Sequence, residues 1–297
     1  MNQTHSSREV EGLIYGSIGI LVFSLTLPAT RIAVADLDPI FVGLGRAIVA
    51  AGLALILLLV TRQKLPPARD FPRYCIVVAG VIIGFPLLSA VAMHDAPASH
   101  GAVITGLLPL STAVCGVWRA GERPSRQFWI FAIAGSGLVL IFAFRSGAGS
   151  IRPTDWALLG AVAAASLGYV EGAILARSIG AWQVICWSLL LSVPVLLPIV
   201  LQHVPASLAS VSSNAWWAFM YVSVFSMFLG FFAWYRGLAL GGIARIGQMQ
   251  LLQPFLTISA SAVLLGERLT VTTIGFAMGT IICVALGRRA AIDPRSS

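Results

Sequence analysis

A chain of 297 residues with 58% hydrophobic and only 10% charged residues carries too little charge for a soluble domain, in which about 25% of residues are charged, so it reads as an integral membrane protein. Its net charge of +8 invites a nucleic-acid partner, but 18 of the 19 basic residues are Arg and sit mostly on alternate loops, which argues against one.

A helix needs about 20 apolar residues to cross a bilayer. Ten such spans are predicted, at roughly 11–34, 39–61, 72–93, 97–118, 126–145, 154–177, 181–203, 214–238, 242–265 and 270–288. The first is longer than a signal-peptide core, and Glu9 and Glu11 offset Arg8 in its flank, so no cleavable signal is expected. The loops between spans are short, which leaves function to the spaces between helices. The expected fold is an all-α integral membrane protein, with ten transmembrane helices arranged as two inverted five-helix repeats. Residues 1–148 would hold spans 1–5 and residues 149–297 spans 6–10.

The repeat is visible at an ungapped offset of 145 residues. Leu107, Pro109 and Thr112 fall on Leu252, Pro254 and Thr257; Gly121-Glu122-Arg123 falls on Gly266-Glu267-Arg268; Phe131, Ala132 and Val139 fall on Phe276, Ala277 and Val284. Orientation follows from the basic residues. With the N-terminus inside, fourteen lie on the cytoplasmic side and only Arg145, Arg152 and Arg268 outside, while Arg31 and Arg46 lie within spans. Positive charge collects on the cytoplasmic face of membrane proteins, so both termini are expected inside. Five spans is an odd number, so the second half would be inverted.

Several chemistries lack their residues. No phosphate-binding GxxxxGK[ST] loop occurs and the only lysine, Lys64, is in a loop, which argues against transport driven directly by ATP. There is no HExxH and no nucleophile elbow, and no enzyme activity, cofactor or metal is expected. Cys75, Cys115, Cys186 and Cys283 fall within spans without CxxC spacing and read as small buried hydrophobes.

The candidate residues are polar or helix-breaking groups inside spans. Pro109 and Pro254 occupy equivalent places in spans 4 and 9. Proline removes a backbone hydrogen bond and bends or breaks a helix, and discontinuous helices in matching positions of two halves point to a transporter's substrate site; a packing kink is the plainer reading. Gln250 and Gln253 share a helical face with Thr257, and the repeat sets Thr105 opposite Gln250. These amides and hydroxyls would line a cavity or bond between helices. Arg245 is expected to snorkel to the inner interface.

His94, Asp95 and His100 flank the turn between spans 3 and 4, where they would gate an outer mouth, accept a proton or be solvated. Glu171, preceded by Tyr169, is the only acid well inside a span, a coupling site or half of an ion pair with Arg177 as one candidate partner. Glu122 and Glu267 are expected to pair locally with the arginine beside each. Tryptophans near span ends, among them Trp118, Trp156 and Trp217, read as an interfacial belt. GxxxG spacings such as Gly80 to Gly84 and Gly237 to Gly241 are weak signals of close helix packing.

Ten spans arranged as five plus five resemble the drug/metabolite transporter superfamily, most closely its EamA-type exporters. The resemblance rests on two segments: Ala98-Ser99-His100-Gly101-Ala102 leading through Pro109 to Gly121-Glu122-Arg123, and Gly242-Ile243-Ala244-Arg245 leading through Pro254 to Gly266-Glu267-Arg268. Within the superfamily the chain is most similar to the aromatic amino-acid exporters of bacterial inner membranes. That resemblance implies efflux of aromatic and other apolar amino acids, and a cavity formed mainly by spans 3, 4, 8 and 9. The candidate substrate-binding set is then His100, Thr105, Pro109, Tyr169, Gln250, Gln253 and Pro254, with Glu171, His94 and Asp95 for coupling or gating. The expected partners are a small-molecule substrate and the bilayer, with the protein a monomer or weak homo-oligomer. A proton-coupled multidrug exporter is the alternative; a channel or a membrane enzyme are readings of other classes.

Overall fold

The computed structural model describes residues 2–123, 125–146 and 151–290. Among them the chain forms ten helical rods. We label them α1 (Asn2–Ser24, resuming at Thr26–Ala33), α2 (Pro39–Val60), α3 (Ala68–Asp95), α4 (Ala98–Thr105 and Leu108–Ala120), α5 (Arg126–Ser146), α6 (Pro153–Ser178), α7 (Ala181–Gln202), α8 (Ser213–Gly241), α9 (Ile243–Gly247 through Leu252–Leu265) and α10 (Val271–Ala290). Eight helices among the described residues are long and apolar enough to cross a membrane; α5 and α10 are not among those eight. The boundary expected at 148/149 lies outside the described residues.

Local chemistry sets the ends. Asp38 accepts hydrogen bonds from the amides of Ile40 (2.8 Å) and Phe41 (3.1 Å), with Pro39 in the first turn of α2. Gly121 and Gly266, equivalent at the offset of 145, take φ of 69° and 63° and end α4 and α9. There the amide of Glu122 donates to Gly116 O and that of Glu267 to Ser261 O, a matched pair of glycine caps.

The bundle is apolar outside, and its mostly apolar interior also holds polar side chains. Val60, Val263 and Ile133 are 75%, 83% and 67% exposed, while Thr26, Arg46, His100, Asp155, Ser166 and Glu171 are buried. Lipid offers no hydrogen bonds, so polar groups turn inward. Trp118, Trp156 and Trp217 are exposed near helix ends. Of the cysteines only Cys186 is buried, and Cys75 is exposed, which corrects the expectation that all four are buried. The GxxxG glycines meet other helices: a Cβ on Gly80 would lie 2.3 Å from Ala164 O of α6, and one on Gly237 would lie 2.8 Å from Gly16 N of α1. Backbones in contact at this range admit no side chain.

The two halves interleave. α3 and α4 pack on α6, while α8 and α9 pack on α1; α2 pairs with α7 and α5 with α10. Equivalent hydroxyls mark the exchange: Thr112 of α4 donates to Ser166 Oγ of α6 (3.4 Å), and Thr257 of α9 donates to Ser24 O of α1 (2.7 Å).

Candidate functional site

Two helices carry wide turns at equivalent places. In α3, Val78–Gly84 is π-helical and closes with Phe85 N on Gly80 O; in α8, Val222–Leu229 is π-helical and closes with Gly230 N on Phe225 O. Each closing pair is related to the other by the offset of 145. The causes differ. Pro86 has no N–H to offer Ile82 O, so that α-helical bond cannot form. In α8 no proline stands at the equivalent place, which is Phe231; the Ser223 hydroxyl donates to Phe219 O (2.7 Å) at the start of the wide turn.

Between these wide turns lies a narrow cavity of about 20 Å³, room for little more than a water molecule, so a larger ligand requires the helices around it to part. Its walls are Phe23 and Thr26 of α1, Arg46 of α2, Val81 and Phe85 of α3, Tyr169 of α6, Ser226, Met227 and Phe231 of α8, and Gln253 of α9. Four aromatic rings thus surround a few polar groups. Thr26 and Ser226 satisfy each other, Oγ1 to Oγ at 2.9 Å. The oxygen of the Gln253 amide and Nε and Nη1 of Arg46 have no hydrogen-bond partner.

α4 and α9 are discontinuous where the paired prolines dictate. Pro109 and Pro254 leave the carbonyls of Thr105 and Gln250 without an α-helical donor. α4 breaks at Gly106–Leu107, and α9 passes through a 3-10 turn at Gln248–Leu251. The helices run antiparallel: Glu267, beyond the end of α9, accepts from the amides of Ala98 (2.8 Å) and Ser99 (3.0 Å) at the start of α4. At the opposite end Gly116 of α4 approaches Ile243 of α9. Glu267 therefore caps a neighbouring helix in place of the local arginine pair expected for it.

Polar ties join α4 to α6 at both ends. His100 Nε2 lies 2.6 Å from Asp155 Oδ1, with both side chains buried, and Asp155 Oδ2 accepts from Arg152 N (2.9 Å). At the other end the Glu171 carboxylate is paired with Arg119 Nε of α4 and lies 3.8 Å from Arg73 Nε of α3.

Of the residues singled out from sequence, the cavity contains Tyr169 and Gln253. Gln250 is buried with both amide atoms unpartnered, but it does not line the cavity. Thr105 turns back to Ala102 O (3.1 Å). Pro109 and Pro254 are buried and shape the breaks. His94 and Asp95 are exposed and bond each other (2.8 Å). Glu171 pairs with Arg119 and Arg73, and Arg177, the partner considered from sequence, is exposed. α4, expected among the cavity helices, contributes no lining residue, whereas α1, α2 and α6 do. The Arg245 side chain lies outside what the structure describes. Arg46 and Asp155 were the residues missed. Arg46 had a signal, as one of two arginines within spans; Asp155 had none, since it stands in the first turn of its helix.

These features define a helical, multi-pass membrane protein with a narrow, partly polar cavity between its helices. The chain belongs to the EamA-like transporter family, whose model matches it twice, over residues 10–144 and 152–287. It is 47% identical over 283 residues to the uncharacterized transporter YdeK of Bacillus subtilis (strain 168), covering 95% of this chain and 99% of that protein. A solved crystal structure, 17% identical, covers 95% of this chain and 98% of its own with a TM-score of 0.71, a likeness of fold. Membership in this family indicates a membrane transporter rather than an enzyme.

Proposed function

We propose that this transporter exports small, largely apolar metabolites, foremost aromatic and other apolar amino acids, by alternating access around the central cavity. The observation that carries the reading is the cavity wall: four aromatic rings with a few polar groups, set between two π-helical turns and the discontinuous α9. π-turns concentrate at functional sites, and an apolar pocket with a few convergent polar groups suits a ligand with an apolar body and one polar head.

The same proposal includes ten membrane crossings in two inverted halves, both termini cytoplasmic in a bacterial inner membrane, and a monomer or weak homo-oligomer. Supporting the inversion are the antiparallel α4 and α9, the matched glycine caps and the matched wide turns. Because the halves interleave, the bodies that move would be α3-α4-α6 and α1-α8-α9, each drawn from both halves. Proton-coupled drug antiport finds less support, since no carboxylate stands among the described lining residues.

The test is a substrate panel in proteoliposomes with and without a pH gradient. Saturable flux of Phe, Trp, Leu or Met is expected, with weaker flux of Asp or Lys and none of triose phosphate. Sugar-phosphate transport without amino-acid flux would overturn the reading.

A further inference from the structure

Arg46 is the cation of the cavity. It stands about 10 Å into α2, counting 1.5 Å per residue from Pro39. Its side chain does not snorkel: the residue is 2% exposed and lines the cavity, with Nε and Nη1 unpartnered. No carboxylate lines the cavity with it among the described residues. Arg31, the other arginine within a predicted span, instead donates to the carbonyls of Met93 and His94 at the end of α3. A buried guanidinium left without an anion is costly, and it persists where a ligand supplies the missing charge.

We propose that Arg46 binds the carboxylate of the transported molecule, and that the site selects an apolar monocarboxylate. This deepens the export reading above and rests on its cavity. A guanidinium presents parallel N–H donors that match the two oxygens of a carboxylate. The rings of Phe85 and Phe231 stand in the same wall for the apolar body. An ammonium group has poorer prospects, since the unpartnered acceptor in the wall is the neutral amide oxygen of Gln253. The carboxylate is therefore the required group and the amino group the dispensable one. A dianion such as a phosphate ester would bring a second charge for which the described lining holds no second cation.

The experiment uses purified full-length protein and five probes: phenylalanine, phenylalaninamide, 3-phenylpropanoate, its neutral amide 3-phenylpropanamide, and phenethylamine. Binding is read by ligand-induced thermal shift and by competition for flux in proteoliposomes. Both carboxylates should bind, and the two amides and the amine should bind at least tenfold more weakly. Arg46→Gln should weaken both carboxylates at least tenfold while leaving the melting temperature of the ligand-free protein unchanged or higher, because it removes an uncompensated buried charge. Arg46→Lys should retain part of the affinity. Wild-type protein that binds acid and amide equally, or Arg46→Gln that binds carboxylates like wild type, overturns the proposal. If Arg46→Gln does not fold, the acid-against-amide comparison in wild type decides alone. Binding of 3-phenylpropanoate without any phenylalanine flux would keep the carboxylate site and overturn the amino-acid reading. Phenylalanine flux matched by phenylalaninamide flux would do the reverse.

Discussion

His100 Nε2 and Asp155 Oδ1 lie 2.6 Å apart, both side chains buried, and tie the start of α4 to the start of α6. Nineteen residues further along α4, Arg119 pairs with Glu171 of α6. At 1.5 Å per residue the two ties stand roughly 28 Å apart along α4 and roughly 24 Å apart along α6, comparable to the thickness of a bilayer core. Two helices from different halves are thus clamped near both of their ends.

The His100–Asp155 tie is testable. Asp155→Ala removes an acceptor from His100 and from Arg152 N together, and losing a buried hydrogen-bond partner costs about 1–3 kcal/mol. Lower thermal stability in detergent is expected, with a milder loss for Asp155→Asn. In a double-mutant cycle with His100→Ala the two effects should be non-additive; strict additivity would mean that the contact contributes nothing.

The Arg119–Glu171 tie makes a different demand. Glu171 is buried but Arg119 is one-third exposed, so Glu171→Gln and Arg119→Gln should each reduce folded protein by less than the about 3–5 kcal/mol of a fully buried pair, and the double substitution should recover part of it. The competing outcome is specific. If Glu171→Gln folds normally, loses stimulation by a proton gradient and keeps downhill flux, the carboxylate is a coupling site.

Pro109 and Pro254 set where α4 and α9 break. Pro109→Ala and Pro254→Ala restore the missing donors and allow continuous helices. The expected outcome is slower transport with nearly unchanged folded protein, measured as initial rate per folded molecule. Wild-type rates in both variants would reduce the prolines to packing features.

Close packing supplies its own control. A Cβ on Gly80 would sit 2.3 Å from the Ala164 carbonyl oxygen, whereas one on Gly52 meets nothing within 4 Å. Overpacking costs about 1–3 kcal/mol, so Gly80→Ala should lower the melting temperature and Gly52→Ala should not. Equal melting temperatures would show that the α3–α6 contact yields freely.

Orientation can be read from single cysteines in a cysteine-free background. Lys64 and Ser207 are both exposed, in the α2–α3 and α7–α8 connections. With ten spans and the N-terminus inside, Lys64→Cys should label from the cytoplasmic side and Ser207→Cys from outside. Labelling of both from one side would exclude the arrangement.

What the sequence alone determined about this protein is local or composition-driven. Low charge and apolar runs of about 20 residues require a membrane, and Pro109, Pro254, Gly121 and Gly266 act on their own backbone turns, so their offset announced matched breaks and caps before any packing was known. What only the tertiary structure decided is which side chains meet. Glu171 and Arg177 are six residues apart, about 240° around a helix, so they cannot face each other; the carboxylate instead meets Arg119, 52 residues away, because α4 of one half packs on α6 of the other. The π-turn of α8 has no proline to announce it, and hydropathy does not record it. An arginine within a span also reads alike whether it reaches for an interface or turns into a cavity. The neighbours of α2 sent Arg46 inward, and one-dimensional periodicity carries no information about those neighbours.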